Sequence, residues 1–65
     1  MVPGEAEGHL SEERRKEIFQ ALVYAQDHEM TVPQSRQAVA ARFGVTQIQV
    51  QQIEREGLDN NWPPL

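Results

Sequence analysis

The sequence predicts a small all-α domain of three helices, and three observations carry that expectation. The chain has 65 residues, enough for one compact domain and too few for a second. Apolar residues recur at three- and four-residue spacing, in Ile18, Phe19, Leu22, Val23 and Ala25 and again in Val50 and Ile53, with no strand-like alternation. Residues that start and stop helices punctuate the chain at Ser11, Thr31, Pro33, Gly44, Thr46 and Gly57. With no cysteine to staple it, a helical bundle is the easiest stable solution at this size.

The elements follow in order. Residues 1–10 mix Pro3, Gly4 and Gly8 with acids and are expected to form a flexible arm, since they offer little to bury. Ser11 can cap a first helix, and Glu12 and Glu13 place negative charge in its first turn, where the helix dipole favours it. That helix is expected over residues 12–28. Arg14, Arg15 and Lys16 near its start are read as a solvated face pairing with glutamates, the sharper alternative being a phosphate-contacting cluster. Pro33 disfavours helix at Val32, so a second helix is expected over residues 33–43, capped by Thr31 or Ser35. Gly44 follows its end, where positive φ is often needed. A third helix is expected over residues 46–57, with Thr46 and Gln49 forming a Thr-x-x-Gln capping box and Gly57 as the stop. Residues 59–65 read as a turn, Asp59-Asn60-Asn61, followed by an extended Trp62-Pro63-Pro64-Leu65 tail.

The two short helices around Gly44 make a helix-turn-helix signal, so the domain over residues 11–58 is expected to be a homeodomain-like helix-turn-helix bundle. Its core would draw on Ile18, Phe19, Leu22, Val23, Val39, Ala40, Phe43, Val45, Val50, Ile53 and Leu58, sealed by Trp62. On the third helix Val50, Ile53 and Gly57 share one side, leaving Gln47, Ile48, Gln51, Gln52 and Arg55 on the remaining surface. In a DNA-reading helix that surface faces the major groove. A glutamine amide can both donate to and accept from adenine, an arginine suits guanine or phosphate, and Ile48 suits a thymine methyl or a protein contact. The competing reading of the glutamines is a good helix former solvating an exposed face.

Composition limits the alternatives. The net charge is −4, which opposes phosphate binding, but it is unevenly spread. Residues 1–30 carry −4, residues 31–58 carry +1, and Asp59 completes the total. The candidate reading unit is therefore weakly basic. No catalytic triad, carboxylate pair around a pocket or glycine-rich phosphate loop is present, so no enzymatic activity is expected. His9 and His28 are far apart, and Asp27-His28-Glu29 point in different directions, so no metal and no cofactor are expected. The N-terminus lacks the basic and apolar regions of a signal peptide, and no run reaches membrane-span length. A cytoplasmic location is the expectation, and Met1 followed by a polar arm is expected of a whole protein.

The run Phe43-Gly44-Val45-Thr46, followed by Val50-Gln51-Gln52-Ile53-Glu54-Arg55-Glu56-Gly57-Leu58, resembles the promoter-reading C-terminal domain of bacterial sigma factors. Ala40, the Gly-Val-Thr turn, Gln52-Ile53-Glu54 and Leu58 carry the resemblance, which covers residues 36–58. It implies the architecture and the orientation of the reading face. The chain departs from it where Gln47-Ile48-Gln49 replaces basic residues at the start of the reading helix, and where Asp59-Asn60-Asn61-Trp62 replaces a basic tail. It is also too short for the other sigma domains, so a free-standing helix-turn-helix is expected.

Two functions follow as expectations. The first is a small bacterial-type transcription regulator binding duplex DNA through Thr46, Gln47, Ile48, Gln51, Gln52 and Arg55, with Arg36 and Arg42 as phosphate contacts. So few cations would make a single module bind weakly, so dimerisation or a larger partner would be needed. The second is a protein-interaction module that keeps the fold without DNA, meeting the transcription machinery or another protein through Ile48 and Trp62. Replacing Gln51 and Gln52 should abolish the first activity, and changing Ile48 or Trp62 should hurt the second.

Overall fold

A computed structural model describes residues 10–65, and the arm expected before Leu10 lies outside the described residues. Three helices, α1 (Glu12–Asp27), α2 (Val32–Phe43) and α3 (Gln47–Asn60), each pack against the other two. Among the described residues there is no strand.

Every helix start is set by a side chain that accepts an otherwise unpaired backbone N–H. The Ser11 hydroxyl accepts from the Arg14 N–H at 3.1 Å. Thr31, rather than Ser35, caps α2: its hydroxyl accepts from the Gln34 N–H at 3.2 Å, and the Gln34 side chain accepts from the Thr31 N–H at 3.2 Å. Ser35 is instead fully buried, donating to the Val32 carbonyl at 2.8 Å. Thr46 and Gln49 form the same reciprocal box at the start of α3, at 3.0 and 2.9 Å.

The stops differ more from expectation. α2 ends at Gly44 with φ of 68°, as the sequence implies, and the Val45 N–H returns to the Ala40 carbonyl at 3.0 Å. Gly57, in contrast, does not end α3. It lies inside the helix, buried beneath the Phe19 ring, and the helix continues three residues further to Asn60. The stop comes from Asn61, which adopts φ of 53°, while the Trp62 N–H bonds the Gly57 carbonyl at 3.0 Å. Asparagine tolerates the left-handed conformation better than other residues bearing a Cβ, and this Schellman-type closure turns the chain back on itself.

That reversal delivers Trp62 to the core. Its ring meets Phe19 edge-to-face at a centroid separation of 6.1 Å, and it is 6% exposed. The core proper is Ile18, Phe19, Leu22, Val39, Ala40, Val50, Ile53 and Trp62, with Val23, Phe43 and Val45 half-buried around it. Leu58 is the correction. Expected in the core, it is 54% exposed, because it follows Gly57 around the helix and falls on the side away from α1. Leu10, assigned to the arm, packs against the core, and its carbonyl accepts a hydrogen bond from Arg15. The tail is not extended either: the Leu65 N–H closes a turn onto the Trp62 carbonyl at 3.0 Å. No helix among the described residues is long and apolar enough to cross a membrane.

Candidate nucleic-acid interface

The outward side of α3 is created by two local decisions. Gly44 reverses the chain tightly after α2, and the Thr46 box fixes where α3 begins. Val50, Ile53 and Gly57 then face inward, so that Gln47, Ile48, Gln51, Gln52 and Arg55 are all exposed. Ile48 stands at the centre of this arc and is 67% exposed. No carboxylate occurs from Thr46 to Ile53. Thr46 is exposed too, but its hydroxyl is committed to the cap of α3, accepting from the Gln49 N–H at 3.0 Å.

The cations are distributed differently from the sequence expectation. Arg36 extends from α2 to Glu54 on α3, placing Nε and Nη2 at 3.2 and 2.9 Å from Oε1. The other Glu54 oxygen accepts from Gln26 of α1 at 3.4 Å, and the same Gln26 amide lies 3.4 Å from the Ser35 hydroxyl. One half-buried network thus ties all three helices together behind the outward arc. Arg36, expected as a phosphate contact, is engaged in it. Arg15 holds Glu56 through two parallel bonds of 2.8 and 3.1 Å, a fork-to-fork pair between α1 and α3. Arg14 and Lys16 form exposed pairs with Glu17 at 3.0 Å and Glu12 at 3.4 Å, as the solvated-face reading of this cluster has it.

Among the described residues, Arg42 and Arg55 are the cations with no carboxylate within ion-pair distance. They lie on different surfaces. Arg55 borders a shallow groove between α2 and α3, together with Arg36, Gln51, Glu54 and Leu58. Arg42 borders a depression between α1 and α2, with Glu17, Gln20, Ala21, Tyr24 and Phe43. The structure therefore brings Gln47, Ile48, Gln51, Gln52 and Arg55 onto one surface, with Arg36 at its edge, and places Arg42 with α1. No group of three His, Asp or Glu side chains among the described residues could hold a metal ion.

Two features escaped the sequence reading. Leu58 joins the groove beside Arg55 instead of the core, which was hidden by mistaking Gly57 for a stop. Tyr24 is 64% exposed, with its ring tilted against His28 at 4.1 Å. Its place on the polar side of the α1 stripe was the available signal. Comparisons of the chain with protein-family models, with characterised proteins and with solved structures find no match.

Proposed function

We propose that this protein is a small helix-turn-helix regulator that places the first two turns of α3 in the major groove of duplex DNA. The observation that carries this reading is the outward arc itself: Gln47, Ile48, Gln51, Gln52 and Arg55, exposed on one helix face whose first two turns hold no carboxylate. Its groups suit base edges. Glutamine matches the donor–acceptor pair of adenine, Ile48 offers apolar contact to a thymine methyl, and Arg55 can reach guanine or phosphate. The resemblance of the turn and of Gln52-Ile53-Glu54 to the sigma-factor reading domain supports the same orientation. Glu54, the first acid on the helix, is neutralised by Arg36 and so repels phosphate less than a free carboxylate would.

The test is fluorescence anisotropy of a labelled random-sequence duplex across a salt series. Binding that weakens with salt and is lost in the Gln51→Ala, Gln52→Ala double variant supports the reading; no binding at low salt removes it.

One observation favours a second reading, a protein-interaction module. Ile48 and Leu58 are 67% and 54% exposed on the same helix, and four of the six cations are held by carboxylates of the same chain. Under that reading Ile48→Ala weakens partner binding, and duplex DNA gives no response.

A further inference from the structure

Helical spacing gives the outward arc of α3 an internal order. At about 100° per residue, Gln51 lies about 60° to one side of Ile48 and Gln52 about 40° to the other, with Gln47 beyond Gln51. An exposed apolar side chain is thus flanked on both sides by exposed amides. Among the described residues the side-chain amides of Gln47, Gln51 and Gln52 enter no hydrogen bond, so each keeps a donor and an acceptor to offer. Gln49 differs, its side chain being turned back into the Thr46 cap. No lysine or arginine occurs from Thr46 to Glu54. Arg55 lies about 10 Å further along the axis than Ile48, beyond the N-terminal turns that approach base edges.

We propose that this arc selects A·T base pairs in the major groove, with Ile48 as the residue that recognises thymine. The inference rests on the proposed DNA binding and names the class of sequence that it selects. An A·T pair presents adenine N7 as an acceptor, adenine N6 as a donor, thymine O4 as an acceptor and the thymine methyl. It is the natural pair whose major-groove edge carries an apolar group, and the arc has the matching arrangement, an apolar centre between donor–acceptor amides. A G·C pair offers Ile48 nothing apolar. Its usual reader, a cationic side chain on guanine N7 and O6, is missing from the first two turns. Arg55 is left to a phosphate at the edge of the site. Because the reading groups are neutral, salt weakens binding to every duplex without erasing the preference among them.

Competition against a fluorescently labelled random-sequence duplex at low salt, read by anisotropy, tests it with unlabelled duplexes of equal length. One holds only A·T pairs, one only G·C pairs, one A·T pairs with deoxyuridine in place of thymidine, and one only inosine·cytosine pairs. Deoxyuridine removes the methyl and nothing else, whereas inosine·cytosine joins the minor groove of A·T to the major groove of G·C. The A·T duplex should compete about tenfold better than G·C, and inosine·cytosine should follow G·C. Deoxyuridine should cost about fourfold for each buried methyl. Ile48→Ala, at an exposed position outside the core, should abolish that cost. Labelled duplex that binds while all competitors act equally overturns the A·T assignment and leaves DNA binding standing. An A·T preference shared by inosine·cytosine overturns it in favour of the minor groove. No deoxyuridine penalty, or one that survives Ile48→Ala, overturns the role of Ile48. No binding of the labelled duplex removes both the inference and the reading beneath it.

Discussion

Gly57→Ala is the sharpest probe of how α3 is seated. An ideal Cβ at this position would lie 2.3 Å from Phe19 Cδ1, 2.4 Å from Cε1 and 2.7 Å from Cγ. Carbon atoms prefer about 3.5–4.0 Å, so the overlap exceeds an ångström against a whole ring edge. The ring has nowhere to go: Phe19 is fully buried and held edge-to-face by Trp62. Overpacking of a filled core costs about 1–3 kcal/mol, and an overlap this deep belongs at the upper limit. Alanine's better helix propensity returns about 1 kcal/mol. The net loss is therefore about 2 kcal/mol, a fall in Tm of about 8–16 °C for a domain of this size. Thermal unfolding followed by circular dichroism at 222 nm reads it. Combining Gly57→Ala with Phe19→Leu should cost less than the sum of the two single changes, since the smaller side chain relieves the overlap. An unchanged or raised Tm in Gly57→Ala would mean that Phe19 does not press on Gly57 and that α3 is seated differently.

Other outcomes follow from the same structure. Thr46→Ala removes the cap of α3 and should lower stability by about 1 kcal/mol, measured by urea unfolding. Trp62→Ala empties the place sealed by the returning chain and should cost about 3–5 kcal/mol in the same assay. Arg36→Gln leaves the half-buried Glu54 carboxylate with Gln26 alone, at a cost of about 1–3 kcal/mol. In DNA binding Arg36→Gln should weaken affinity through the freed Glu54 carboxylate, without the loss of a phosphate contact of its own, because Arg36 is committed to Glu54. Arg55→Gln should reduce the log–log slope by about 1 if Arg55 contacts phosphate.

The parts legible in the sequence are those decided within one turn of helix. Ser11, Thr46 and Gly44 act where local chemistry puts them, because a hydroxyl three residues before a free N–H, or a glycine at a left-handed position, needs no distant partner. The apolar stripe of α1 is legible for the same reason. What escaped was decided across helices. Gly57 has two uses, a stop or a close approach, and only the Phe19 ring chooses between them. Misreading it placed Leu58 in the core and ended α3 a turn early. Arg36 looked available because its partner Glu54 is 18 residues away. Of the candidate surface, the face of α3 was readable from helical periodicity alone. The silencing of Arg36 and the separation of Arg42 from that face were not, since both depend on how α2 lies between its neighbours.

The central claim is that the outward arc of α3 meets duplex DNA. The most direct measurement is an amide-resolved NMR titration of the 65-residue chain with random-sequence duplex at low and moderate salt. If the outward arc meets DNA, shifts are confined to the stretch from Thr46 to Arg55 and fade as salt rises, with Tyr24 and its neighbours on α1 unmoved. A silent arc at low salt, or shifts centred on α1 instead, would contradict it.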